Sequence, residues 1–312
     1  MRILLLESLH LEAEALLEAE AEVRRAALPS SPDNAALAKD ADAVITRGRG
    51  TIDAEMLSAN SDLKCVARAG SGLDNVDVKA AVERGVNVIY APDAVTETTA
   101  EHAAALMLAA GRRIPSWTAR VKNGEWDSRQ TEPPAFDLAG RTLGIVGLGR
   151  IGARVAEIAS ALNMHVLYST RSSIDARFER VSFEELLRRS DVVSIHVDLN
   201  DSTRGMMDAA AFDAMKEGAV LVNCARGAVV DESALIQALK SGKLRAFAAD
   251  VMADEPPPPD HPLFAFEQAV LTPHSAALAE GAYRRLCVET AENVLRVLNG
   301  EPPNPRNVWR GS

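Results

Sequence analysis

Short apolar runs of Val, Ile and Leu alternate with stretches of helical spacing along nearly the whole chain. That alternation predicts parallel sheets covered by helices, because a strand buried on both faces reads as one apolar run and its crossover supplies the helix. In the first third, runs at 3–6, 43–45, 65–67 and 88–89 read as strands and 11–23 as a helix. The acids of that helix, Glu12, Glu14, Glu18, Glu20 and Glu22, read as a solvated face without function. A long helix is expected from Thr99 to Val121, then a Pro-containing loop over 123–138.

From Thr142 the rhythm is regular. Strands are expected at 143–146, 165–168, 192–195, 219–222, 246–249 and 269–271, with helices at 151–162, 183–188 and 233–240. Six strands in about 130 residues is the doubly wound pattern. Helical spacing returns over 276–299, before a Pro-rich tail. The fold class is therefore α/β, with two Rossmann-like domains of doubly wound parallel sheets crossed twice by the chain. Residues 1–99 plus 279–312 are expected to form one domain and 100–278 the other, inserted into it, with ligands in a cleft between.

Composition narrows the function. The 312 residues carry 34 Lys+Arg against 44 Asp+Glu, a formal charge of −10. Binding to nucleic acid or anionic membrane runs on excess Lys and Arg, so neither is an expected partner. With 47% hydrophobic and 25% charged residues the chain is no disordered polymer. Cys65, Cys224 and Cys287 are too few and too scattered for a disulfide framework or zinc ribbon, and no metal site is expected. The opening apolar run meets Glu7 without the pattern of a signal peptide, and 103–110 is too short to span a bilayer. A cytoplasmic protein is expected.

The strongest local signal is Gly147-Leu148-Gly149-Arg150-Ile151-Gly152, set between a strand and a helix. That context is what a dinucleotide site requires. The first glycine makes the turn, the second admits a pyrophosphate to the backbone, and the third packs helix on strand beneath a phosphate at the helix N-terminus. Roughly 20 residues beyond the glycines an NAD site places an acid on the ribose. Here the chain reads Ser169-Thr170-Arg171-Ser172. Without the carboxylate, Arg171 and its hydroxyl neighbours suit a 2′-phosphate, so NADP(H) is expected ahead of NAD(H).

Arg226, Glu255 and His274 each lie just past the end of a late strand, where doubly wound sheets bind ligands. Together they suit hydride transfer to a 2-keto acid. The histidine donates a proton, the carboxylate orients it, and the guanidinium pairs with the substrate carboxylate. Asp250, at the end of the fifth strand, is expected to accept from the nicotinamide carboxamide. Ahead of the trio, Arg68-Ala69-Gly70-Ser71-Gly72 reads as a backbone nest for an anion, with Arg47 and Arg68 adding charge for a second anionic group. His10, His102 and His165 show no partner in sequence. His261 reads as a loop anchor, and His196 and Cys224 as linings of the cofactor site.

Together these motifs resemble the D-2-hydroxyacid dehydrogenase family from about Ile45 to the tail. Its signatures appear in order: Gly147 to Gly152, Val222-Asn-Cys-Ala-Arg-Gly227 with Val230-Asp-Glu232, Asp250 to Pro256, and Thr272-Pro-His274. The resemblance implies Arg226, Glu255 and His274 as the catalytic set. It implies cofactor contacts from Ser71, Thr96, Gly147, Gly149, Arg150, Ile151, Gly152, Ser169, Thr170, Arg171, Val197, Cys224, Ala225, Asp250 and Ser275, and substrate contacts from Arg47, Arg68, Ala69, Gly70, Ser71 and Gly72. It also implies a homodimer through the helix after Thr99.

Residues 68–77 and 222–232 are most similar to D-3-phosphoglycerate dehydrogenases. Residues 91–101, with Val95, are similar to glyoxylate/hydroxypyruvate reductases, and the 169–171 turn suits NADPH. Asp198 stands where a proline is usual, which bears on the adenine or ribose edge. A C-terminal regulatory domain is not expected. A dinucleotide-responsive corepressor-like binding protein is the alternative of another class, and it has no need of a complete Arg/Glu/His trio.

Overall fold

The computed structural model describes residues 1–132, 134–171 and 174–310, so Ser172 of the expected ribose-side turn lies outside the described residues. Two compact units emerge, Met1–Val95 with Ala277–Ser312, and Thr96–Ala276.

The first unit runs β1 (Arg2–Leu5), α1 (Leu11–Glu20), β2 (Glu22–Arg25), α2 (Asn34–Ala38), β3 (Ala43–Thr46), α3 (Ala54–Ser58), β4 (Cys65–Arg68), α4 (Val78–Glu83) and β5 (Asn87–Tyr90). Its sheet has the order β2-β1-β3-β4-β5, every pair parallel. The expected helix over 11–23 is too long. It ends at Glu20, and Glu22–Arg25 pairs with β1 instead. Val23 is the one apolar residue of this edge strand, so backbone pairing with β1 forms it and no side-chain period announces it. Nor are the helix's acids simply solvated: Glu14 and Glu18 pair with Arg25, and Glu12 with Arg284.

In the second unit the expected helix over 99–121 is two, α5 (Thr96–Gly111) and α6 (Ile114–Lys122). Arg113 between them is left-handed at φ 55°, and Pro115 in the first turn of α6 starts a helix more readily than it continues one. There follow β6 (Thr142–Val146), α7 (Arg150–Ala161), β7 (His165–Ser169), β8 (Glu179–Arg180), α8 (Phe183–Arg189), β9 (Val192–Ile195), α9 (Ala209–Ala214), β10 (Ala219–Asn223), α10 (Glu232–Lys240), β11 (Leu244–Ala249) and β12 (Ala269–Leu271). The chain returns to the first unit as α11 (Glu280–Leu298), and Val308 bridges antiparallel to Ile89.

The second sheet has the order β12-β11-β10-β9-β6-β7-β8, all parallel. β8 and α9 were not expected. Two exposed charged residues carry no strand pattern, and Ala209–Ala214 is a short helix set by the Asp208 cap, which accepts from Ala211 N–H. Alternation divides the strands between two cores. Val220, Val222, Ala246 and Ala248 pack with α5 and α7, whereas Leu221, Phe247 and Ala249 pack with α8, α9 and α10. Strand order reverses between β6 and β9, which opens the switch point at their carboxyl ends.

Candidate active site

Nearly all the expected cofactor residues of the second unit cluster at the carboxyl ends of its strands. Gly147 to Gly152 join β6 to α7, Ser169 ends β7, Val197 follows β9, Cys224 and Ala225 follow β10, Asp250 follows β11, and Ser275 follows β12. Thr96 opens α5, while Ser71 belongs to the first unit.

The glycine turn is tightly packed at one end and open at the other. A Cβ at Gly152 would lie 2.2 Å from Gly147 O, so only a bare Cα lets α7 sit this close to the strand end. At Gly149 a Cβ would meet nothing within 4 Å, which leaves the helix N-terminus open to a ligand. Beyond β7, the Arg171 guanidinium reaches Ser202 Oγ at 3.2 Å and Arg180 donates to Thr170 O at 2.8 Å. Ser202 sits in the loop that Asp198 organises, its carbonyl accepting from Thr203 Oγ1 at 2.7 Å. Arg180 and Ser202 were missed in sequence because β8 and this loop carry no motif.

The proposed trio lies wholly within the second unit. His274 Nδ1 and Glu255 Oε2 are 2.6 Å apart, and the other oxygen of Glu255 accepts from Met252 N–H at 3.0 Å. Burial alone would raise the Glu255 carboxyl. The His274 hydrogen bond and charge, the Met252 N–H and the nearby Arg226 charge outweigh it and hold the group below its ordinary value. Arg226 stands in a turn braced by Asn223, whose Oδ1 accepts from Ala225 N–H and whose amide donates to Arg226 O, both at 3.0 Å. A Cβ on Gly227 would come within 2.0 Å of the Met252 carbonyl, so the bare glycine is what lets the Arg226 turn lie against the Glu255 loop.

His274 is left-handed at φ 53°, a conformation that costs a non-glycine residue about 1–2 kcal/mol. Its N–H donates to Asp250 O at 2.8 Å. Asp250, 2% exposed, accepts from Ser275 N–H and Ala276 N–H at 2.8 Å and from Thr272 Oγ1 at 2.6 Å. Burial would raise this carboxyl, but His102, Thr272 and the two N–H donors hold it low. Both oxygens of Asp250, the residue expected to accept from the nicotinamide carboxamide, thus brace the His274 loop.

Two further histidine readings change. His102 is not without partners: its Nε2 lies 2.9 Å from Thr272 Oγ1 and 3.4 Å from Asp250. His10 caps α1 by accepting from Glu12 N–H and stands edge-on to Tyr283. His261 anchors its loop through Leu263 N–H and Glu232. His196 bonds Ser194 Oγ at 2.8 Å, and desolvation pushes its ring down to about 4. Burial and the Asp250 charge push the Cys224 thiol up to about 12, which makes it a poor nucleophile.

In the first unit, Glu7 braces the loop carrying Arg47, one carboxylate oxygen accepting from Arg47, Arg49 and Gly50 N–H at 2.9–3.0 Å. The Arg47 guanidinium donates to Tyr283 Oη and Ser8 O, and Arg68 Nε donates to Arg47 O. The expected nest over 69–72 loses its first donor, because Ala69 N–H is committed to Thr46 O at 2.8 Å. Gly70 leaves room for Arg68, whose guanidinium would overlap any Cβ there. Ser71 and Gly72 follow in the same turn.

The family model for the NAD binding domain of D-isomer specific 2-hydroxyacid dehydrogenases matches residues 104–276. The chain belongs to that family. It is 42% identical over 278 residues to a glyoxylate reductase of Aeropyrum pernix, covering 86% of this chain and 83% of that one. Over 266 residues it is 41% identical to a D-3-phosphoglycerate dehydrogenase of Archaeoglobus fulgidus, covering 84% of this chain but 50% of the relative. The chain thus spans about half the length of that dehydrogenase. A solved structure of a Thermus thermophilus protein superposes with a TM-score of 0.90 at 37% identity, covering 99% of this chain and 100% of that one. As a 2-hydroxyacid dehydrogenase family member the chain has its glycine turn and its His274–Glu255 pair inside the matched domain. Among the described residues, no helix is long and apolar enough to cross a membrane.

Proposed function

We propose that the protein is an NAD(P)-dependent D-2-hydroxyacid dehydrogenase that interconverts a small 2-keto acid and its D-2-hydroxy acid. The observation that carries this reading is the 2.6 Å pair between His274 Nδ1 and Glu255, beside Arg226. The glycine turn and α7 N-terminus would hold the dinucleotide, which when bound would supply hydride chemistry at the keto carbon. Glu255 keeps the proton on His274 Nδ1 and leaves Nε2 to deliver a proton to the developing alkoxide. Arg226 pairs with the substrate carboxylate and polarises the carbonyl. Arg47 and Arg68 take the second anionic group of a phosphorylated substrate.

Phosphoglycerate dehydrogenase-like activity is the first expectation and glyoxylate/hydroxypyruvate reduction the second. Arg171 and Ser202, with no acid at the ribose position, support NADP(H) over NAD(H). Removing the guanidinium in Arg171→Ala is expected to raise the KM for NADPH about tenfold, a charge-assisted bond's worth, with little change for NADH. Equal effects on both cofactors would refute that assignment. The exposed Ile114 and Val121 of α6 support pairing of two copies through this helical region.

Initial rates with hydroxypyruvate, glyoxylate and 3-phosphohydroxypyruvate, each with NADPH and NADH, test the reading. Preference for the phosphorylated acid assigns Arg47 and Arg68 to its phosphate. Preference for the others makes the enzyme a glyoxylate/hydroxypyruvate reductase, and binding of dinucleotide without turnover of any acid would sink the proposal.

A further inference from the structure

His102 lies on α5, far in sequence from the trio, and the glycine-turn and trio chemistry gives it no role. Its contacts give it one. Thr272 Oγ1 has a single proton, and the 2.6 Å contact to the Asp250 carboxylate takes it. At 2.9 Å from His102 Nε2, the same oxygen therefore accepts, which fixes the His102 proton on Nε2. The bridge runs from α5 through Thr272 to Asp250, whose carboxylate also receives Ser275 N–H and Ala276 N–H and whose carbonyl receives His274 N–H. Every residue from 272 to 276 except Pro273 thus bonds to Asp250. At the centre of that loop, His274 holds a left-handed backbone that it would not adopt unaided.

We infer that His102 is a positioning residue, a donor on α5 that locks Thr272 and Asp250 and so keeps the strained His274 aimed for proton transfer. The inference rests on the function proposed above for its kinetic consequence, but not for its geometry. Losing the donor frees the Thr272 hydroxyl to turn and removes the imidazole that stands 3.4 Å from the buried Asp250. The loop then relaxes toward ordinary dihedrals, and His274 Nε2 leaves its place. A displacement of about 1 Å costs up to about a hundredfold in rate, so a loosened loop is expected to lose about tenfold.

Long-range proton–nitrogen spectra of the labelled full chain test the geometry. His102 is expected as the Nε2–H tautomer, and an Nδ1–H tautomer would overturn the inference. His102→Phe is expected to lower kcat about tenfold while the KM for keto acid and cofactor stay within about twofold. His102→Gln, which restores a donor at similar reach, is expected to recover most of the loss. An unchanged kcat in His102→Phe, or a Gln variant no better than Phe, would overturn it. Should the wild type turn over no keto acid, the functional reading fails and hydrogen exchange at the His274 N–H decides alone. Faster exchange in His102→Phe at an unchanged urea midpoint supports the positioning role, and unchanged exchange overturns it.

Discussion

The chemistry of the site comes down to where one histidine keeps its proton. Glu255 lies 2.6 Å from Nδ1, and in the proposed function this leaves Nε2 to exchange with a substrate oxygen. His274→Ala is therefore expected to reduce turnover at least about a hundredfold with cofactor affinity retained, the ordinary contribution of a general acid. Rapid-reaction kinetics beside cofactor titration would check both halves, and near-normal turnover would remove His274 from the mechanism. Legibility at this scale was uneven. Arg226, Glu255 and His274 showed in the sequence because each follows a strand end inside a dense motif. His102 and Ser202 did not, since each acts on a partner more than 30 positions away and hydrogen-bond pairing has no period to read.

Among the elements, the glycine turn separates two demands that a sequence motif merges. Gly152→Ala would drive a Cβ against the fixed backbone carbonyl of Gly147 and is expected to destabilise by about 1–3 kcal/mol in urea unfolding. Gly149→Ala meets no atom within 4 Å and has an extended backbone, so it is expected to fold normally and lose dinucleotide affinity. Equal stability of the two variants would contradict this division. The strands of the second sheet were legible because burial on both faces makes them continuous apolar runs. β2 and β8, at the sheet edges, have only Val23 between them to show as apolar and form by pairing. The break between α5 and α6 was missed because helical spacing persists through Arg113, although Pro115 marked the restart.

Across the whole molecule, each unit holds a buried carboxylate below its ordinary value, Glu7 in the first and Asp250 in the second, and the exposed Glu255 is held low as well. For Glu7, burial opposes ionisation but the Gly50, Arg47 and Arg49 N–H donors and the Arg47 charge prevail. A depressed folded value means the contribution is full above the unfolded carboxylate range, 4.5 for glutamate, and is lost as pH falls through the folded value. Urea unfolding followed from pH 7 downward is expected to show stability falling below about pH 4.5, less steeply in Glu7→Gln. An identical slope in that variant would show that Glu7 contributes nothing. The two-unit plan was legible because both sheets repeat one alternation, whereas the unit ends at Val95 and Ala276 are set by packing that no local pattern records. The most direct test of the central claim is keto-acid-dependent oxidation of NADPH by the wild type beside His274→Ala. Turnover with hydroxypyruvate or its phosphorylated form is expected, dropping at least about a hundredfold in the variant. Equal rates in both proteins, or none in the wild type while the dinucleotide binds, would contradict it.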